Sequence, residues 1–222
     1  DFGAISVADR KHAANNPKAY FYGKPITIED HQNSRWIAEP LRLLDCCQET
    51  DGGVALVLTS VERAAGLRHT PIRVLGGAMG IAAQQHGMAS MYRDDIAGVE
   101  ETKIVGDQLY RRTGLAPADL DVAVLYDHFS PAILMQLEAL GFCGPGEAPD
   151  LVREGATRIG GAIPTNTNGG QLSEAYMHGF NGLVEAVRQL RGTAVNQVPG
   201  ARHVIVTGGP YVATSGVILG AA

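Results

Sequence analysis

Cysteine is scarce in this chain of 222 residues, with Cys46, Cys47 and Cys143 the only three. Two of them are adjacent, so no disulfide framework is available and a reducing compartment is expected. Positive charge is also short: 18 Lys and Arg stand against 23 Asp and Glu, for a net charge of −5. That balance excludes a basic groove for nucleic acid, or a face for anionic lipid, as the main partner surface. No run approaches the ~20 continuous apolar residues that a bilayer crossing requires. The opening DFGAISVADRKHAANNP is charged and amphipathic where a secretory signal would be apolar, so a cytoplasmic location is expected. The chain also begins without Met, which fits a processed chain or a fragment. Phosphate-binding G-x-x-x-x-G-K-[ST], zinc-binding H-E-x-x-H, paired C-x-x-C and the G-x-S-x-G nucleophile turn are all missing.

The remaining composition, 45% hydrophobic and 18% charged, is that of an ordinary globular protein, and 28 glycines announce many tight turns. The length allows one large domain or two small ones. Residues 1–20 read as a helix end stopped by Asn15-Asn16-Pro17, and Thr27-Ile28-Glu29-Asp30 reads as a helix start. The run VALVLTS over residues 54–60 predicts a strand buried on both faces. Ser60 caps a short helix that ends by Gly66, Ile72–Leu75 reads as a strand, and residues 81–95 read as a long loop. A helix over 96–113, a strand over Val122–Tyr126 and a helix from Ser130-Pro131 to Leu140 follow. A long helix over 171–191 and two strands, Val204–Thr207 and Val212–Leu219, complete an α/β order.

Two clusters stand where strands end, the usual place for ligands in an open α/β sheet. The first is Tyr126-Asp127-His128-Phe129. The second is Asn166-Thr167-Asn168-Gly169-Gly170, leading to Ser173, Glu174, Tyr176 and His178. A sharp turn, Thr207-Gly208-Gly209-Pro210-Tyr211, is a weaker third. A tyrosine at a strand end is ordinarily half-buried core with a wetted hydroxyl. Ser173 and Glu174 read as helix-start capping, the cysteines as packed small residues, and Arg10, Lys11, Lys18 and Lys24 as a solvated face.

These segments carry a resemblance. PLRLLDCCQETDGGVALVLTS, YDHFSPAILMQLEALGFC and NTNGGQLSEAYMHGFNG, in that order, resemble the C-terminal half of the thiolase superfamily, in its sterol-carrier-protein thiolase and lipid-transfer-protein branch. The resemblance implies a thiolase-like layered α/β fold, with a mixed five-stranded sheet and helices on both faces. Residues 1–50 would end the linker region of an N-terminal half and residues 51–222 would form the C-terminal domain. Complete members are considerably longer and carry the nucleophile in the other half. The departures are informative. Where the branch has His-Asp-Cys-Phe this chain has Tyr126-Asp127-His128-Phe129, Tyr176 replaces the His of Gly-His-Pro, and TGGPYVATSG holds no cysteine. That pattern resembles the steroid side-chain-cleaving aldolases, which act on acyl-CoA thioesters beside a small OB-fold partner.

The resemblance therefore implies Tyr126, Tyr176 and His128 as catalytic residues, and Asn166, Gly169, Gly170 and Tyr211 as substrate-binding ones. A tyrosine serves as acid or base when its pKa is lowered from ~10. Asp127 is expected as a structural acceptor, and no metal is expected. Coenzyme A enters as part of the substrate, and no cofactor is bound covalently. A homodimer and an OB-fold companion are the implied partners. A degradative thiolase and a non-catalytic thiolase-like scaffold subunit remain open as alternatives.

Overall fold

The computed structural model describes residues 1–83 and 93–222; the middle of the expected 81–95 loop lies outside them. Helix α1 (Phe2–Asn15) ends where Asn16 and Pro17 interrupt it. Thr27 then caps α2 (Ile28–Asn33) through a reciprocal pair of hydrogen bonds with Asp30. A small hairpin, β1 (Trp36–Ala38) and β2 (Leu41–Arg42), and a 3-10 turn over Leu43–Asp45 lead to the cysteines. Helix α3 (Val61–Ala64) starts at the Ser60 cap, as expected.

The main sheet has the order β3-β6-β5-β4. Strand β3 (Arg73–Gly80) pairs antiparallel with β6 (Thr214–Gly220), which pairs antiparallel with β5 (His203–Gly208). The short β4 (Val122–Val124) runs parallel to β5. Helices α4 (Glu100–Thr113), α5 (Pro131–Ala139), α6 (Ala148–Arg153) and α7 (Phe180–Leu190) complete the molecule. Both faces of the sheet are buried at β4 and β5, so these strands alternate between two cores rather than between core and water, while the edge strand β3 is largely exposed. Ala123, Leu125, Ile205 and Ile218 join Val105, Leu109, Ile133, Leu137 and Ile5 on one side. Val122, Val124, Val204, Val206 and Leu219 meet Ala186 and Leu190 of α7 on the other. Helix α1, through Ile5, is part of the first core.

Four expectations change. The five-stranded sheet has four strands among the described residues. A fifth line is reduced to a single parallel bridge, Ala123 to Thr165, between Pro164, which has no N–H, and Asn166, whose φ of +49° turns the chain away. Residues 54–60 are not a strand. Val57 is 93% and Leu58 79% exposed, and no described residue pairs with their backbone. The helix expected over 171–191 is broken: a π-helical turn spans Gly170–Glu174, Ala175 is extended, and α7 begins only after the left-handed Gly179. Arg10 is buried rather than solvated, with its guanidinium 3.5 Å from the centre of the Phe21 ring.

Candidate active site

Strand β4 stops because its next two residues take side-chain partners in place of ladder bonds. The amide of Leu125 donates to Asn166 Oδ1 at 2.8 Å and that of Tyr126 to Thr207 Oγ1 at 3.1 Å. Gln136, on α5, donates to the Tyr126 carbonyl at 2.8 Å and accepts the Thr207 hydroxyl at 2.6 Å. Tyr126 is thus clamped from both sides of its peptide, and its ring leaves the strand end in a fixed direction. Asp127 turns inward. Its Oδ1 accepts the Gln171 amide at 2.8 Å and its Oδ2 the Leu172 amide at 3.0 Å, which confirms it as a structural acceptor.

Those two bonds hold the π-helical turn, and the turn delivers Tyr176. The Tyr176 amide donates to Thr50 Oγ1 at 3.2 Å. Its hydroxyl lies 3.0 Å from that of Tyr126, with the rings edge to face at 6.2 Å between centres. His128 sits 5.3 Å from the Tyr126 ring and 6.1 Å from that of Tyr211, and His178 lies 4.6 Å from Tyr176. Five aromatic residues therefore form one continuous wall, in the order His178, Tyr176, Tyr126, His128, Tyr211.

Electrostatics in this wall are set by burial. Desolvation, with the adjacent Tyr176 hydroxyl, pushes the Tyr126 phenol above its ordinary value, and burial pushes Tyr211 up to about 12. The lowering that would make a tyrosine a ready base is not found at Tyr126, which stays a neutral phenol. His128 is lowered by burial to about 4 and is a neutral imidazole. Tyr211 has a left-handed backbone (φ +72°); its amide donates to the buried Glu101 at 2.7 Å, and its hydroxyl bonds the Met135 sulfur.

Asn166, Gly169 and Gly170 lie beneath the wall. Asn166 is fully buried, and the Gly169 amide donates to its carbonyl. The close approach that these glycines permit is to the protein itself. A Cβ on Gly169 would lie 2.5 Å from Ala13 of α1, and one on Gly170 would lie 2.1 Å from Asp127 Oδ2. A small cavity of about 10 Å³, room for one water, is bounded by Tyr126, Asp127, Asn166 and Thr207. Ser173 and Glu174 are buried rather than capping: Ser173 accepts from Arg10, and Glu174 from Asn16, Asn168 and Asn181.

Sequence reasoning missed the clamp. Gln136 interrupts the apolar PAILMQLEAL, and Thr207 ends an apolar strand, so a polar residue at a core position was the available signal. Among the described residues no group of three or more His, Cys, Asp or Glu side chains converges to hold a metal ion. Nor is any described helix long and apolar enough to cross a membrane.

Residues 80–221, well over half of the chain, match a family model described as "Thiolase C-terminal domain-like". The chain belongs to that family. Among thiolase C-terminal-like relatives, a 17-hydroxy-3-oxo-4-pregnene-20-carboxyl-CoA lyase of Mycobacterium tuberculosis is 64% identical over 220 residues, covering 99% of this chain and 57% of that protein. A steroid side-chain-cleaving aldolase of Thermomonospora curvata is 59% identical over 221 residues, covering 100% of this chain and 56% of that protein. A solved structure described as "Ltp2-ChsH2(DUF35) aldolase" superposes with a TM-score of 0.98 at 59% identity, covering 100% of this chain and 58% of that one. Human mitochondrial 3-ketoacyl-CoA thiolase shares the fold, at a TM-score of 0.70 and 15% identity. This thiolase C-terminal-like chain spans just over half the length of the curated relatives it matches.

Proposed function

We propose that the protein containing this chain cleaves the side chain of a β-hydroxyacyl-CoA, of the steroid type, by a retro-aldol reaction. The products are a ketone and a shortened acyl-CoA such as propionyl-CoA. The observation that carries the reading is the Tyr126–Tyr176 hydroxyl pair, 3.0 Å apart at a strand end. Retro-aldol cleavage must move one proton from the substrate hydroxyl to the α-carbon and forms no acyl-enzyme. Two neutral phenols in contact accomplish this without either becoming charged. The hydroxyl proton passes to Tyr176 as the Tyr176 proton passes to Tyr126. The bond between the α- and β-carbons breaks, its electron pair enters the thioester enolate, and the β-carbon becomes the ketone. In the same step, as the Tyr176 proton arrives, Tyr126 gives its own proton to the α-carbon, so both tyrosines end neutral. His128, neutral, hydrogen-bonds the thioester oxygen while negative charge develops there. Tyr211 extends the apolar wall for the ring system, and Asn166, Gly169 and Gly170 shape the floor.

The 59–64% identity to an aldolase and a lyase that act on steroid side chains supports the same chemistry. The similarity to an aldolase solved with a DUF35-type component supports a small OB-fold companion. The active assembly is read as a cytoplasmic homodimer with that companion, with residues 1–50 closing the N-terminal half and 51–222 forming the C-terminal domain.

The test uses the full-length protein with its companion and a steroid β-hydroxyacyl-CoA, with products followed by mass spectrometry in the absence of free coenzyme A. Ketone and shortened acyl-CoA are expected. Tyr126→Phe and Tyr176→Phe should each lower turnover by about 100-fold or more, the range of general acid–base catalysis. Cleavage of a β-ketoacyl-CoA only when free coenzyme A is added would reject the reading in favour of a degradative thiolase. No cleavage of either substrate would leave a scaffold subunit.

A further inference from the structure

The mechanism leaves one buried group without a task. Asp9, on α1, is 3% exposed, and its Oδ2 has no hydrogen-bond partner. Its carboxyl faces the 1%-exposed Asp127 and the side chain of Asn166, whose Nδ2 is likewise buried without a partner. No ion pair of the described residues includes either aspartate. Of the two cations on the same helix, Lys11 is exposed and Arg10 turns to Ser173 Oγ at 3.1 Å, while His12, held neutral by burial, meets the Asn166 carbonyl at 3.1 Å. Two buried carboxylates in contact with no cation between them cannot both be charged, so they share one proton.

The hydrogen bonds say where that proton sits. Asp127 already accepts backbone amides at both oxygens, Gln171 at Oδ1 and Leu172 at Oδ2, which is the arrangement of an ionised carboxylate. Asp9 has no backbone amide at either oxygen, only the Asn166 side chain beside it. Gly170 fits the same account, because a Cβ there would fall 2.1 Å from Asp127 Oδ2 and 2.8 Å from Asn166 Nδ2. The turn is wrapped tightly round the pair.

We propose that Asp9 is a positioning residue for the active site: as the acid of the pair it donates to Asp127, which as carboxylate grips the Gln171 and Leu172 amides and so aims Tyr176 at Tyr126. Burial, then the charge of Asp127, holds the Asp9 carboxyl well above its ordinary range, while Asp127, desolvated but supported by its two amides, is pushed up only to about 6. The inference rests on the reading of Tyr176 as catalytic, and the experiment separates the two.

In the full-length protein, Asp9→Leu keeps the branched shape at a larger volume and removes the donor, whereas Asp9→Asn supplies an N–H in its place. Asp9→Leu is expected to speed hydrogen–deuterium exchange over residues 169–176 about 10-fold. It should lower kcat by about 10-fold or more with KM within about 3-fold, as misplacement of a catalytic group does. Asp9→Asn should recover both to within about 3-fold of the parent. Equal loss in the two variants, or exchange unchanged in Asp9→Leu, overturns the inference. Should Asp9→Leu not fold, Asp9→Ala, which also lacks a donor, decides it by the same comparison to Asp9→Asn. Tyr176→Phe, assayed alongside, separates the failures. If it turns over normally the retro-aldol reading is at fault, and if it is inactive while Asp9→Leu is normal only the positioning role falls.

Discussion

A phenol held above its ordinary pKa is a poor base and a dependable donor, and that decides what Tyr126 can do. Its clamp of Thr207 and Gln136 fixes the backbone, burial keeps the proton on the ring oxygen, and the Tyr176 hydroxyl is its hydrogen-bond partner. Burial acts in the opposite sense on the imidazoles, lowering His12 and His128 to about 4. For such a base the folded state binds fewer protons than the unfolded state between about 4 and 6.5. The stabilisation is therefore present above 6.5 and is lost as pH falls toward 4. Replacing His12 by Gln should cost more stability at pH 7 than at pH 5, read from urea unfolding of both chains at each pH. An equal cost at the two values would show that His12 does not change its protonation on folding.

Helix α7 shows how closely the elements around the site are fitted. Gly182 faces the sheet, and a Cβ there would lie 2.8 Å from Val124 Cγ1 and 3.4 Å from Val206 Cγ1. Gly182→Ala gains helix propensity, yet it must push α7 away from β4 and β5. A net loss of about 1–3 kcal/mol is expected in urea unfolding; a stabilised variant would show that the helix shifts freely. The sequence was readable where an element is decided locally. The Thr27 capping box, the Ser60 cap, Pro131 at the start of α5 and Gly141 after it stand where periodicity and capping put them. Residues 54–60 and β4 look alike as apolar runs, but a strand exists only beside a partner, and pairing is not written in the run itself. The 171–179 segment misled for another reason. It bonds to distant parts of the chain, the Gln171 and Leu172 amides to Asp127 and Glu174 to Asn16, and this long-range pairing outweighs helical propensity. Within the site, the two tyrosines were legible through family resemblance. Asp9, Gln136 and Thr207 were not, because their meaning depends on neighbours distant in sequence.

At the scale of the molecule, the apolar surface is uneven. Val57 and Leu58 in the unpaired stretch, Val61 at the start of α3, and Val74, Met79 and Ile81 along and just past the edge strand β3, are each more than half exposed. Exposed apolar groups in such number belong to association surfaces rather than to a solvated exterior. The 222-residue chain on its own is expected to associate as its concentration rises in sedimentation velocity. Val57→Lys with Leu58→Lys should shift it toward monomer; an unchanged distribution would place the contact elsewhere. The hydroxyl pair described above also has an evolutionary side. Positions 126 and 176 lie on separate elements, and either phenol alone faces a half-buried site with its hydroxyl unanswered. Selection therefore sees the two as one character, and among descendants of a common ancestor they should be gained and lost together.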